Sequence, residues 1–584
     1  MSHYEAPIRE PLVLGDKSYH DITEDIAKPI EGKANKNWYM AFYISLAAML
    51  WGFGCIFYTV GTGIGVWGLS KNIGWAWDIT NFVWWVGIGH AGTLISAVLL
   101  LFRQKWRMAI NRSAEAMTIF AVFQAGLFPI IHMGRPWNGY WVLPIPNQFG
   151  SLWVNFNSPL LWDVFAISTY LSVSLVFWWT GLLPDFAMIR DRAVKPFQKK
   201  IYALLSFGWS GRAKDWQRFE EVSLVLAGLA TPLVLSVHTI VSMDFATSIN
   251  PGWHSTIFPP YFVAGAIFSG FAMVQTLLGI MRKVTNMEDY ITRLHVEYMN
   301  IVIILTGGIV AVAYATEFFI AWYTGSPYEN YTYLSVGAAT GPYAWAFYSL
   351  LFFNILTPQL LWFKKIRRSF IWSFIISIFI NIGMWFERFD IIAIVLSKGH
   401  LPSTWWRFEP TFVDVGIFIG TIGFFFVLFL LYARTFPVIA QAEVKTILKS
   451  SGEFYKKRRD GNNVVMGPDA HKAIAKPLKD VNNGTSIVDE VSNTVKDSAD
   501  KLKSLFSTIG VFDSKTQKAD DLKKISGVGP KLESVLNDIG LFTFEQVSKM
   551  TKKEYDLLDS ITGSFPGRAE RDDWAKQAKN LING

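Results

Sequence analysis

Ten apolar runs of about twenty residues, at positions 38–60, 82–102, 113–131, 160–182, 220–243, 257–280, 295–322, 343–363, 369–386 and 411–433, constrain this chain more than any other feature. A helix of about that length crosses the roughly 30 Å hydrocarbon core of a bilayer. Composition agrees: the 584 residues are 51% hydrophobic and 17% charged, with 25 Trp and 46 Phe. The expected fold class is all-α, a polytopic membrane protein of about ten transmembrane helices.

An even number of spans places both termini on one side. The N-terminal segment 1–37 and the loops 103–112, 182–218, 281–293 and 364–368 carry five, four, eight, three and four Lys or Arg. Their counterparts at 69–80, 132–159, 244–256, 324–342 and 387–410 carry one, one, none, none and three. The positive-inside rule therefore puts both termini in the cytoplasm and the second set of loops outside. The first 37 residues lack the apolar core and small-residue cleavage site of a signal peptide, and are expected to be retained. With its basic residues mostly in loops and tail, the net charge of +8 sets topology and is no argument for nucleic acid.

The single cysteine, Cys55, reads as packing within the first span. One thiol cannot supply a four-cysteine iron–sulfur cluster, a CxxCH haem attachment or an internal disulfide. Any cluster or c-type haem must belong to a partner.

Ionisable residues inside spans are costly, so each is a candidate functional group, although some only bind helices together. His90 lies within WWVGIGHAGTLISA, where structural hydrogen bonding and proton transfer are both open. Glu115 begins the third span, where a carboxylate also complements a helix N-terminus. The outward ends are richer: Asp78 precedes the second span, His132 and Arg135 follow the third, Asp163 opens the fourth, and His238 with Asp244 closes the fifth. Glu317 lies in the seventh, and Glu387, Arg388 and Asp390 lie at the outward end of the ninth, where the following loop 387–410 begins. The stretch IHMGRPWNGYWVLPIPN, from Ile131 to Asn147, puts a histidine, an arginine, aromatics and prolines at this outward face. Interfacial aromatics explain part of it. A donor-rich, aromatic-walled pocket at one membrane face also suits a quinone, whose two oxygens need hydrogen-bonding groups and whose protons need acceptors. An ion or solute transporter built from repeated bundles is the competing reading.

After Tyr432 the composition changes. Residues 436–518 read as a polar linker, with a helix expected near 485–508. Residues 519–584 read as a small α-helical soluble module. In DDLKKISGVGPKLESVLNDIGLFTFEQVSKM, Gly527, Val528 and Gly529 sit between two amphipathic helices, and the segment resembles the helix-hairpin-helix fold. Such hairpins can touch DNA phosphates through backbone N–H groups, but similar modules also end membrane and ribosomal proteins as protein-contact domains. Lys523, Lys524 and Lys531 are too few to demand nucleic acid, which is not an expected partner.

The run GHAGTLISAVLLLF…RSAEAMT, followed by IHMGRPW…YW…P.PN..GSLW.NFNSPLLWD, from Gly89 to Asp163, resembles the NrfD-like polysulfide reductase membrane subunits. Within that family the likeness is greatest to the quinol-binding membrane subunit of bacterial alternative complex III, and it covers residues 30–440. The resemblance implies two four-helix bundles, spans two to five and six to nine, flanked by the first and tenth spans, in a transmembrane domain at 38–435 of the bacterial inner membrane. It implies menaquinol or ubiquinol as substrate near the periplasmic face, with His132 and Asp163 as ligands and proton acceptors. Arg135, Trp137 and Tyr140 would shape the mouth of the pocket. His90, Glu115, His238, Asp244, Glu317 and Asp390 would be candidates for proton paths. The implied partners are a periplasmic iron–sulfur subunit, multihaem cytochrome c subunits, a paralogous NrfD-like membrane subunit and a terminal oxidase. This chain would hold no haem, iron–sulfur cluster or metal of its own. A related molybdenum reductase complex remains the alternative within the family, and a passive membrane anchor is a further one.

Overall fold

A computed structural model describes residues 12–15, 17–143, 158–334, 339–398, 401–447, 505–512, 518–562 and 568–583. Among the described residues ten helices are long and apolar enough to cross a membrane: Lys36–Thr62, Trp77–Leu101, Asn111–His132, Pro159–Arg192, Ala213–Ala246, Phe258–Val284, Arg293–Tyr323, Ala344–Trp362, Phe370–Ile394 and Phe412–Thr435. They coincide one for one with the ten apolar runs. The described residues fold entirely into helices, turns and irregular segments, in an all-α polytopic membrane protein. The chain divides into two compact units at Met1–Asn463 and Val464–Gly584.

In the first unit, spans two to five pack as one four-helix bundle and spans six to nine as another. The second and sixth spans form the core shared by both, and they are accordingly among the most buried. Their small residues explain the closeness. A Cβ on Gly92 would overlap the Ala114 carbonyl and Thr118 of the third span, and one on Gly270 would overlap Ala91 across the bundle boundary. Small side chains let helix backbones approach where lipid supplies no hydrophobic drive.

The first span packs along the tenth through a second glycine seam. A Cβ on Gly52 would overlap the Gly420 backbone, one on Gly416 would meet the Cys55 sulfur, and Gly423 lies against Ser45 and Met49. Cys55 is buried there, as packing in this seam requires. The Trp38 indole N–H adds a hydrogen bond of 3.3 Å to the Leu430 carbonyl.

The N-terminal helix Tyr19–Glu31 begins with a capping box at Ser18 and Asp21. It ties together elements of one face. Lys17 bridges Asp25 at 2.9 Å and Asp289 at 3.1 Å, and this carboxylate pair holds its ammonium above the ordinary lysine range. Arg192 bridges Glu24 and Glu31, each at 2.6 Å. Arg434, in the last turn of the tenth span, donates to the carbonyls of Pro29 and Gly32. The two ends of the ten-span domain therefore lie together on the face that carries the basic loops 182–218 and 281–293.

Four span boundaries differ from expectation. The second span begins at Trp77, which brings Asp78 inside it, the fourth runs on to Arg192, the fifth begins at Ala213, and the ninth continues through Ile394. Glu387, Arg388 and Asp390, expected in the loop after the ninth span, are buried within the helix instead. The Arg388 guanidinium bridges Glu387 at 2.7 Å and lies 4.2 Å from the Phe262 ring centre, so the charges are met inside the protein.

In the second unit, helices Pro530–Asp538, Phe544–Ser548, Lys552–Thr562 and Trp574–Asn583 enclose a core that includes Leu522, Ile525, Leu536, Val547 and Trp574. The Ser526 backbone N–H donates to Gln577 at 2.8 Å, and Gly527 takes φ of +97° beneath Asp572 and Trp574. The glycine hairpin is thus covered by the module's own side chains, including a carboxylate. Residues 485–504 of the helix expected at 485–508, and most of the linker, lie outside the described residues.

Candidate functional site

The end of the first bundle that lies away from the chain termini gathers two acid pairs. Asp78 sits in the first turn of the second span, where one carboxylate oxygen accepts the Ala76 N–H at 2.9 Å. The other pairs with His132 Nδ1 at the end of the third span. His132 holds that position because the helix stops there: Gly134 takes φ of +65°, and its N–H bonds back to Ile131 at 2.9 Å. A Cβ on Gly134 would come 2.9 Å from Ile64, so side-chain bulk is excluded as well. Asp163 opens the fourth span and contacts Asp244 near the end of the fifth.

Aromatic rings join the two pairs. The rings of Trp67 and Trp75 each lie 6.4 Å from that of His132, Trp75 edge-on. Trp75 is 6.2 Å from Phe245, the neighbour of Asp244, and 6.0 Å from Trp253. An open apolar groove of about 380 Å³ runs between the fourth and fifth spans, lined by Leu161, Phe165, Ala166, Leu233, Ser236 and Ile240. It begins beside Asp163 in sequence and follows the helices toward the bundle middle.

The sequence placed His132 and Asp163 in one constellation. The structure seats each in its own pair at the same end of one bundle, His132 with Asp78 and Asp163 with Asp244. Arg135 is exposed just before the short helical segment Pro136–Val142, and Trp137 and Tyr140 are exposed on it, with Trp137 63% exposed. Residues 144–157, which complete the loop and carry much of the quoted motif, lie outside the described residues. Trp67, Trp75 and Trp253 were not singled out, although three tryptophans in short loops facing one side are a readable signal.

The remaining candidates fall into three buried clusters. The His90 Nδ1–H donates to the Val86 carbonyl at 2.7 Å, and the ring stacks on Tyr170 at 5.3 Å and meets His238 edge-on at 4.5 Å. Glu115 belongs to the opposite end of the bundle, where it bridges Arg112 at 3.1 Å. Arg112 also reaches Asp185 at 3.4 Å and Glu443 at 3.6 Å, and Arg107 bridges Glu443 at 3.0 Å. In the second bundle Glu387 accepts from the Tyr314 hydroxyl, and Asn354 donates to that hydroxyl oxygen at 3.0 Å. Glu317 accepts from Ser255 at 2.7 Å. Burial, then the Glu317 and Asp390 carboxyls, push the nearby Tyr333 hydroxyl well above its ordinary range, so it stays a donor. Asn354 and Asp390 lie in the two π-helical turns, Phe352–Leu356 and Asp390–Ile394, a geometry frequent at functional sites.

Comparison with known proteins adds family membership. Residues 522–582 match the family described as RS2/RL21/YNQ2 HHH domain. Over 61 residues this segment is 54% identical to large ribosomal subunit protein bL21 of Jannaschia, covering 10% of this chain and 23% of that protein. Over 63 residues it is 44% identical to small ribosomal subunit protein uS2 of Beijerinckia indica, covering 11% and 18%. In the membrane domain, a Halobacterium salinarum protein named as a membrane subunit of dimethyl sulfoxide reductase is 25% identical over 224 residues, 38% of this chain and 47% of that one. The chain thus spans about half the length of that relative and less than a quarter of each ribosomal one. Residues 65–397, more than half of the chain, match the family described as Polysulphide reductase, NrfD, and this integral, multi-pass membrane protein belongs to that family.

Proposed function

We propose that this chain is the quinol-binding membrane subunit of a respiratory quinol-oxidising assembly of the alternative complex III kind, in a bacterial inner membrane with both termini cytoplasmic. Menaquinol or ubiquinol binds at the periplasmic end of the first bundle. The observation that carries the reading is the pairing of His132 with Asp78 beside Asp163 with Asp244, between tryptophan walls and next to an apolar groove suited to an isoprenoid tail.

The chemistry follows from that arrangement. Asp78 accepts from Nδ1–H of His132, which leaves Nε2 with its lone pair as the base. Oxidation breaks the two quinol O–H bonds; one proton goes to Nε2 and the other to the Asp163 carboxylate. The two electrons leave for an iron–sulfur cluster in a periplasmic partner, and from there pass to multihaem cytochrome c subunits and a terminal oxidase. A paralogous NrfD-like subunit stands beside this one. Asp244, next to Asp163, is the first onward proton acceptor in this reading, and His90, His238, Glu317, Asp390 and Glu115 are candidates for further transfer.

A second reading, membership of a molybdenum reductase complex, is favoured by the name of the Halobacterium relative. Affinity purification of the tagged chain from its native membrane separates the two. Co-purifying c-type haem and iron–sulfur proteins are expected; a co-purifying molybdenum reductase in their place overturns the first reading.

The C-terminal module stands apart from this chemistry. The Ser526 N–H of its hairpin is occupied from within and the Asp572 carboxylate lies against Gly527, which supports protein contact over nucleic-acid contact. Truncation after residue 515 is expected to leave quinol oxidation near that of the full chain. A large loss of turnover with assembly intact would show the module to be part of the machinery.

A further inference from the structure

Between the fifth and sixth spans the chain makes a short turn at 250–255, Asn-Pro-Gly-Trp-His-Ser. Three hydrogen bonds fasten it to the second bundle. The Tyr333 hydroxyl donates to the Gly252 carbonyl at 2.5 Å, the Trp253 indole N–H to the Ile391 carbonyl at 2.5 Å, and the Ser255 hydroxyl to Glu317 at 2.7 Å. Gly252 takes φ of +90° with the Tyr333 ring packed over it, a position that suits glycine alone.

The other side of the same turn belongs to the first bundle. The buried Trp253 ring lies 6.0 Å from Trp75, which is edge-on to His132 at 6.4 Å. It also meets Phe245, next to Asp244, at 5.0 Å. One side chain therefore backs the ring wall of the His132 site and bonds a carbonyl of the neighbouring bundle.

That carbonyl is a special one. Ile391 lies in the π-helical turn Asp390–Ile394. Such single-turn widenings of an α-helix are rare and recur at functional sites, and here the Ile391 carbonyl accepts from a donor on another element. Conversion between the widened and the regular turn is a discrete change that rotates every side chain in it, Asp390 included.

We propose that Trp253 is a positioning residue that couples the two bundles: its ring sets Trp75 against His132, and its N–H holds the π-helical turn that buries Asp390. A ligand that displaces Trp75 is thereby registered at Asp390. The ligand half of this proposal rests on the quinol reading; the tie to Ile391 does not.

Hydrogen exchange of the full chain in detergent, read by mass spectrometry over residues 390–397, tests both halves. Trp253→Phe keeps an aromatic ring, though a smaller one, and removes the N–H, and is expected to speed exchange over this segment about fivefold. Unchanged exchange there overturns the proposal, whatever the chain binds. Menaquinone-4 serves as the ligand probe. Its binding is expected to slow exchange over 390–397 in the parent chain and to have no such effect in Trp253→Phe. Trp75→Phe, which leaves the Ile391 bond in place, is expected to keep parental basal exchange and lose the ligand effect. Bound menaquinone-4 without slowing in the parent, or slowing that survives in Trp253→Phe, overturns the coupling. Absence of menaquinone-4 binding to the parent counts against the quinol reading, and the basal exchange of Trp253→Phe still decides the tie.

Discussion

Replacing His132 with Ala is expected to lower quinol-driven electron transfer by about 10²–10⁴-fold, the range typical of a general base, with assembly preserved. His132 is a quarter exposed and packs against Trp67 and Trp75 at the site rim, so its loss leaves the bundle core in place. Asp163→Asn is expected to fall as far, since the amide keeps the shape but cannot take the proton. Asp78→Asn separates orientation from proton acceptance. Its amide can hold the ring, yet the hydrogen bond that selects the Nε2 base is reversed or lost, so turnover should drop with little change in the quinol concentration needed for half-maximal rate. Steady-state oxidation of a short-tailed quinol, normalised to complex content on native gels, measures all three. Normal turnover in both His132→Ala and Asp163→Asn overturns the site.

Arg112→Ala is expected to be the most destabilising single change outside that site, by about 3–5 kcal/mol, because removing one partner leaves buried charge uncompensated. Three carboxylates face this guanidinium: Glu115, Asp185 and Glu443, at 3.1, 3.4 and 3.6 Å. Arg107 compensates only Glu443. The guanidinium also donates to the Gly181 carbonyl, with Gly181 pressed so close that a Cβ there would overlap it. Arg112→Lys should lie between, since it restores charge without the fork that reaches several acceptors at once. The combined change Arg112→Met with Glu115→Gln and Asp185→Asn should recover much of the loss. Thermal unfolding in detergent, followed by retention of a monodisperse chromatographic peak, measures the series. An unchanged midpoint in Arg112→Ala would mean that the cluster stabilises nothing.

These two clusters show what was legible in the sequence. All ten spans could be read because lipid imposes a local rule: about twenty apolar residues and internally bonded backbone. The rule failed where charge inside a helix is answered from elsewhere. Glu387 and Arg388 read as a loop since their partners Tyr314, Asn354 and Phe262 lie on other spans. His132 stood out by type and position, but its partner Asp78 is 54 residues away. Asp163 was visible; its contact with Asp244 was not. The role of Trp253 was hidden, because a tryptophan in a short loop between spans looks like an interfacial anchor until its N–H is seen on Ile391. Glu443 lay just past the last span, where composition suggested only the start of a linker.

The seam between the first and last spans also governs when this domain can become complete. Trp38 and Leu430, which close it, are 392 residues apart. At about 5–20 residues per second, a ribosome needs roughly 20–80 s to make the second after the first. Throughout that interval the first helix waits in the bilayer with its glycine face uncovered. Insertion of the tenth helix is thus the closing event of biogenesis, and a chain cut short before it carries an open face that membrane chaperones and proteases can recognise.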